Sequence, residues 1–488
     1  MSSLRDHEAF EYSPALETSA SAKLKAHYRP FIDGAFVDGG GQVVQCVNPA
    51  TEQPLTEVSY ADERDVDTAV RAARRAYDKV WSKMAGAERG KYLFRIARLV
   101  AERAPELAVL ETLQSGKPIR QSREFDLPAA AGQLFYYAGW ADKLAYAGYG
   151  GGPQGNGPRP LGVVALLVPG NFPLLTAAAK VAAALACGNT VVLKPAESTP
   201  LTALVLAEIC QQAQLPPGVL NVVPGAADLG AALVAHREVD KIGFAGSTAV
   251  GKQIQRHIAG TRKRLTMELG GKSATVVFDD APLEQAVDGV VNGFVFNQGQ
   301  LGCAGSRALV QEPIAQELLD RLRSRIAQLR VGDPLDKNTD VGALSSAAAV
   351  AQLGELVAAG VAEGATPWTS DPRLPEQGFF AAPTLFSDVQ PAMRIAREEF
   401  FGPVLSVLTF RTPDEALAKA NNTPYGLSAG VWTEKGSRML YLAQHLRAGV
   451  VWANTVHRFD PTAAFGGYTE SGLGREGGMA GLEGYLNV

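Results

Sequence analysis

Two short stretches of this chain carry residues that could do chemistry together. The first, Met267-Glu268-Leu269-Gly270-Gly271-Lys272-Ser273, sets a carboxylate before a glycine pair. The second, Asn297-Gln298-Gly299-Gln300-Leu301-Gly302-Cys303-Ala304-Gly305-Ser306-Arg307, is a glycine-rich loop with one cysteine. A carboxylate beside a thiol or a water is a base that can activate either. Glycines around them let backbone amides approach a reacting oxygen and hold its developing charge. The expectation is a site with Glu268 as base and Cys303 as the one thiol that the two stretches offer.

Such a site needs a frame. Val163 to Val168, Thr190 to Leu193, Leu220 to Val223 and Ile242 to Ala245 are short apolar runs, with helical segments around 176–187, 200–213 and 227–236 between them. That alternation builds a parallel sheet whose ligands gather at the carboxyl ends of its strands. A second alternating set follows: strands Ala274 to Phe278, Ala308 to Gln311, Val404 to Phe410, Gly430 to Trp432 and Gly449 to Ala453, with helices from about 283, to about 329 and from 413. The fold class is therefore α/β, with two doubly wound parallel-sheet domains and the active stretch at their junction. Upstream, Asp33-Gly34-Ala35-Phe36-Val37-Asp38-Gly39 reads as a hairpin. Residues 62–145 read as mostly helical, with Val66, Val70, Ala73 and Tyr77 at helical spacing. Asp142 to Leu161 reads as an extended connector, rich in Gly and Pro from Gly148.

Composition narrows the function classes. Lys plus Arg number 46 against 50 for Asp plus Glu, a net charge of −4, which leaves no electrostatic footprint for nucleic acid. No basic amphipathic stretch suits a membrane surface, and Lys180 interrupts the longest apolar run. Four cysteines in 488 residues are not a disulfide framework, and the six histidines show no metal-ligand spacing. These features describe a soluble cytoplasmic protein without a metal. Gly150/Gly152/Gly155 and Gly472/Gly474/Gly477 match Gly-x-Gly-x-x-Gly, but neither follows a strand and opens a helix. Gly246 to Lys252 nearly spells a P-loop but continues into Gln253, where a magnesium-binding Ser or Thr is required.

Both catalytic stretches resemble the two signatures of the aldehyde dehydrogenase superfamily. Further segments resemble it in the same order: Pro169-Gly170-Asn171-Phe172-Pro173, Leu193-Lys194-Pro195-Ala196-Glu197, Gly243-Phe244-Ala245-Gly246-Ser247-Thr248, Glu398-Glu399-Phe400-Phe401-Gly402-Pro403-Val404, Trp452-Ala453-Asn454 and Phe465-Gly466-Gly467-Tyr468. The resemblance covers the chain from about residue 30 onward. It implies oxidation of an aldehyde to a carboxylic acid, with NAD as cofactor and NADP disfavoured. It implies an NAD-binding domain of residues 1–141 and 162–269 and a catalytic domain of residues 270–470. Residues 142–161 and 471–488 become a small β oligomerisation arm and tail, giving a homodimer or homotetramer. Lys194 and Glu197 would meet the adenosine ribose, where a 2′-phosphate would be repelled by the Glu197 carboxylate. Gly246 and Ser247 would face the pyrophosphate, although Ser247 also suits a plain helix N-cap. Glu399 would hold the nicotinamide ribose, with Phe401 beside the ring. Asn171 would donate its amide to the oxyanion, and Glu268 would activate the hydrolytic water.

One departure is chemical. The family nucleophile lies two residues after the Gly-Gln pair and four before the Ser-Arg pair, and both counts end on Gly302. Seating Cys303 there requires an insertion before it and a deletion after it, so its side chain is expected to miss the carbonyl. Gly170 is a second departure, replacing the family's large aromatic before the Asn, and is expected to widen the pocket floor. Two activities remain open on this reading. One is aldehyde oxidation through Cys303, or directly from an aldehyde hydrate with Glu268 as base. The other is a non-catalytic homologue that retains the cofactor cleft as a structural or regulatory subunit.

Overall fold

A computed structural model of the chain describes residues 13–147, 157–370 and 373–487. The first sheet has eight strands, and its central five run parallel: Arg264–Glu268, Lys241–Ala245, Val163–Leu167, Thr190–Lys194 and Leu220–Val222, in that spatial order. Side chains of a strand alternate between faces, and this sheet buries both. Val163, Ala165 and Leu167 pack under helices Glu63–Lys79, Ala227–Ala235 and Thr248–Ile258. Val164 and Leu166 pack under helices Gly86–Glu102, Leu127–Trp140, Pro173–Ala186 and Leu201–Gln212. Burial on both faces is why the four inner strands read as largely apolar runs rather than alternating ones, while Arg264–Glu268, with Arg264 exposed, does not.

The second sheet has seven strands, ordered Thr366–Thr369, Thr384–Ser387, Val404–Phe410, Arg307–Gln311, Ala274–Val277, Ser428–Trp432 and Val450–Ala453. All its pairs are parallel except the first. Helices Leu283–Val295 and Ala315–Ile326 cover one face. Helices Ala347–Ala362, Pro413–Asn421 and Gly436–His445 cover the other. Two doubly wound sheets are thus present, as the strand–helix alternation requires.

The expected hairpin is present as Phe31–Ile32 against Ala35–Phe36, turning through Asp33 and Gly34 at φ +52° and +84°. It joins the first sheet beside Leu220–Val222. The connector differs from expectation. Among its described residues, Leu144–Tyr146 is a turn of 3₁₀ helix and Arg159–Pro160 is extended; residues 148–156, with Gly150, Gly152 and Gly155, lie outside the described residues. The tail ends in a short β-strand, as expected. Leu486–Asn487 pairs antiparallel with Arg159–Pro160 of its own chain, and Gly472–Leu473 forms the edge of the first sheet against Met267–Glu268. Among the described residues no helix is long and apolar enough to cross a membrane.

Candidate active site

Strand ends of the first sheet and loops of the second converge on one cleft of about 1250 Å³. Asn171 follows strand Val163–Leu167, Gly246 and Ser247 follow Lys241–Ala245, and Glu268 is the last residue of its own strand. From the second sheet, Gly302 and Cys303 arrive on the loop before Arg307–Gln311, and Glu399 and Phe401 on the loop before Val404–Phe410. All eight residues line the cleft. Lys194 and Glu197 do not. The Lys194 side chain is buried at its strand end, where its ammonium donates to the Pro195 carbonyl at 3.2 Å. Glu197 is exposed one turn further out, beyond Ser198, which does reach the cleft.

The glycine pair after Glu268 has a steric reason. A Cβ on Gly270 would lie 2.1 Å from Oε2 of Glu399, and one on Gly271 would lie 2.2 Å from the carbonyl oxygen of Gly302. Both catalytic stretches therefore touch through atoms that only glycine permits. The far loop is held just as tightly. Asn297, Gln298 and Gly299 are successively left-handed, at φ +52°, +56° and +71°. Left-handed asparagine and glutamine persist only where the surroundings over-determine them. Here the Gln298 amide donates to the Ala343 carbonyl at 3.0 Å, and Gln300 Oε1 accepts from the Ser345 amide at 2.9 Å.

Gly302 has an ordinary backbone, outside the left-handed region. A Cβ there would point at the strand end after Glu268, 3.0 Å from the Leu269 carbonyl, 3.2 Å from a Leu427 methyl and 3.5 Å from Gly270 Cα. Cys303 is only 6 % exposed and packs with Leu301, Ala304, Leu427 and Trp452. Burial pushes its thiol up to about 12, with the Glu268 carboxylate adding to the shift. At neutral pH the thiolate fraction is then on the order of one in 10⁵. Alkylation of Cys303 near pH 7, followed by peptide mapping, is expected to be far slower than that of an exposed cysteine. Fast labelling that NAD suppresses would contradict this.

Glu268 is partly open to the cleft, with 21 % of its side chain exposed, and its Oε2 lies 2.7 Å from the ammonium of Lys180. That lysine also reaches Glu476 at 3.1 Å. Glu476 in turn accepts from Thr266 at 3.0 Å and from Tyr485 at 3.1 Å. Burial raises Glu268, the Lys180 charge opposes that, and Glu476 adds to it, leaving Glu268 above the ordinary carboxylate range. Burial pulls Lys180 down, but its two carboxylates more than reverse it. Such a carboxylate suits proton abstraction, because its affinity for a proton is closer to neutrality than that of a solvated glutamate.

Asn171 is tied into the loop it faces. Its amide donates to the Gln300 carbonyl at 2.7 Å, and its own carbonyl accepts from Asn297 at 2.9 Å. One amide hydrogen remains for an oxygen in the cleft. Gly170 corrects the expectation of a wider floor: a Cβ there would meet the hydroxyls of Thr199 and Ser198 at 2.9 and 3.0 Å. The Ala196–Thr199 turn occupies that space. Ser247 N-caps helix Thr248–Ile258 by accepting the Val250 amide at 3.3 Å, so the plain-cap reading holds beside any ligand role. Glu399 accepts the Gly271 amide at 3.1 Å, and burial raises its carboxyl to about 7. Phe401 stands 40 % exposed at the rim.

The sequence left several residues of this site unmarked. Phe125 and Phe459 stand in the cleft wall with Phe172, Trp452 and Phe465 of the quoted segments, and the five touch ring to ring. Chain separation hides that convergence. Lys180 did carry a signal, as a lone cation in the otherwise apolar helix Pro173–Ala186. A lysine there must find a partner, and it found the base.

Two doubly wound sheets close here on a carboxylate, a tightly held glycine-rich loop and a cleft with an aromatic wall, an α/β scaffold with its site at the strand ends. Residues 36–488 match the aldehyde dehydrogenase family, and the chain belongs to it. DhaS of Bacillus subtilis is 44 % identical over 477 residues, covering 95 % of both chains. Retinal dehydrogenase 2 of Gallus gallus is 42 % identical over 474 residues, 95 % of this chain and 91 % of that one. An NAD⁺ complex of an aldehyde dehydrogenase from Bacillus cereus superposes with a TM-score of 0.93 at 40 % identity, covering 98 % of each chain.

Proposed function

We propose that this chain is an NAD-linked aldehyde dehydrogenase whose nucleophile position holds Gly302, so that the cleft retains its base and cofactor wall but lacks the covalent route. One observation carries the reading: a side chain at 302 would face the strand end beside Glu268, whereas the neighbouring thiol is packed into apolar wall. Without a thiol, Glu268 takes a proton from a hydrated aldehyde while Asn171 and the amide at position 302 hold the remaining oxygen. The residues present fit NAD. Gly246 and Ser247 open a helix toward the cleft, Glu399 has an oxygen free of the Gly271 amide, and Glu197 stands exposed where ribose hydroxyls could reach it. Lys194 frames the same adenosine side, and Phe401 the nicotinamide side. NAD, when bound, supplies the hydride acceptor.

The same reading makes residues 1–141 and 162–269 the NAD-binding domain, 270–470 the catalytic domain, and 142–161 with 471–488 the arm and tail. Among the described residues the ribbon of Arg159–Pro160 and Leu486–Asn487 has two strands, and their edges suit a neighbour's sheet in a cytoplasmic homodimer or homotetramer. A non-catalytic NAD-binding subunit is the rival, favoured by the same glycine. Calorimetry tests the cofactor half directly. NAD is expected to bind more tightly than NADP, and Glu197→Ala to narrow the difference. Binding of neither nucleotide would defeat the proposal.

A further inference from the structure

A buried charge cluster lies directly behind the aromatic wall of the cleft, and the chemistry above makes no use of it. Helix Ala104–Ser115 brings Glu111, which accepts the Leu174 amide at 3.1 Å and the Thr202 hydroxyl at 2.8 Å. Leu174 lies in the first turn of helix Pro173–Ala186, whose amides have no partner within the helix. Glu111 therefore anchors the turn that carries Asn171 and Phe172. Lys117 follows, with its side chain fully buried and ion-paired to Asp126, whose side chain is equally buried. The Lys117 ammonium stands 4.3 Å from the centroid of the Phe172 ring.

Asp126 ends a π-helical turn, Ser122–Asp126, and Phe125 is its neighbour. The Phe125 ring lies 6.2 Å from Phe172, 5.1 Å from Phe296 and 5.7 Å from Phe459. Ion pair and ring wall are thus one unit. A buried ion pair is a weak source of stability, since apolar residues of equal volume do as well or better. Its directional value is larger: a desolvated cation over a ring fixes where that ring sits. Insertions of the π type are frequent at functional sites, where they re-aim a side chain.

We propose that Lys117 is a positioning residue for the apolar end of the cleft, holding Phe172 directly and Phe125 through Asp126 as a fixed wall for aromatic aldehydes. This rests on the reading of the cleft as an aldehyde site. The two can be separated by experiment. The probe is cinnamate, the carboxylate that oxidation of an aromatic aldehyde would leave, titrated calorimetrically against the full chain, with NAD titrated in parallel. Lys117→Met is expected to weaken cinnamate by about tenfold and to leave NAD unchanged, because the cofactor wall touches neither residue. Lys117→Arg keeps the cation and should retain near-natural affinity. In a Phe172→Leu background, Lys117→Met should add less than about twofold, since the ring it acts through is gone. If Lys117→Met does not fold, Lys117→Met with Asp126→Leu, which removes both charges together, is read in its place. Equal loss of cinnamate and NAD affinity would show a general structural role and overturn the proposal. So would an undiminished Lys117 effect without Phe172, or no effect at all. A natural chain that binds NAD but no cinnamate would defeat the reading of the cleft itself, and this proposal with it.

Discussion

Gly302→Cys is expected to raise NADH formation from aldehydes by roughly three powers of ten or more, equivalent to ~4 kcal/mol of barrier. The backbone at 302 already suits an L-residue. Its Cβ would need a few tenths of an ångström from the Leu269 carbonyl and the Leu427 methyl, at 3.0 and 3.2 Å. Only one of these neighbours is a side chain that can turn away. A thiol there would stand beside the strand end that carries Glu268 and share a carbonyl with the free Asn171 amide hydrogen. It would replace oxidation of a hydrate by the easier route through a thiohemiacetal. Steady-state absorbance with several aldehydes measures the gain. An unchanged rate in a folded, NAD-binding variant would mean that position 302 is not where the carbonyl sits.

The second large effect falls on Lys180. Its ammonium is shared by Glu268 and Glu476, at 2.7 and 3.1 Å. Lys180→Met is expected to cost about 3 kcal/mol at pH 8, because Glu268 loses its cation and Glu476 is left with only the field of Lys241 and its hydrogen bonds from Thr266 and Tyr485. The pH dependence has a definite sign. Glu268 is already raised by burial, and losing the cation raises it further. A carboxyl raised in the folded state favours folding at low pH and loses that contribution as pH climbs through the folded value. The deficit of the variant should therefore shrink between pH 8 and pH 5, as the pair takes up a proton. Denaturant unfolding at the two values measures it. A deficit that grows on acidification would show that the carboxylates were never the problem.

The legible part of the fold was the part whose pattern is local. Strand Val163–Leu167 is covered on both faces and reads as a solid apolar run, and Val404–Phe410 nearly so, interrupted by Ser406 and the exposed Thr409. Strand Thr366–Thr369 gave no such signal: it is a short edge strand, contains Pro367 and buries almost nothing. Helix Ala347–Ala362 buries only Leu353, Leu356 and Gly360 among many alanines, so its period is faint. The site divides in the same way. Register alone marked Gly302; the steric necessity lies at Gly271, where a Cβ would meet the Gly302 carbonyl at 2.2 Å, whereas a Cβ at 302 meets nothing nearer than 3.0 Å. Lys180 and Glu476 meet from opposite parts of the chain, and no local pattern announces a pair of that kind. Lys194 and Glu197 show the limit from the other side. Their strand end was readable, but whether they face the cleft depended on how the turn after Pro195 leads the chain away.

If this cleft has its base and cofactor wall but no thiol in register, Cys303→Ala is the deciding variant. Natural chain and variant are compared side by side for NADH formation across a panel of aldehydes. A low natural rate is expected, changing by less than about twofold, because a buried, protonated thiol contributes nothing to the carbonyl. A robust natural activity abolished by Cys303→Ala would contradict it, and would place the loop one residue away from where its glycines put it.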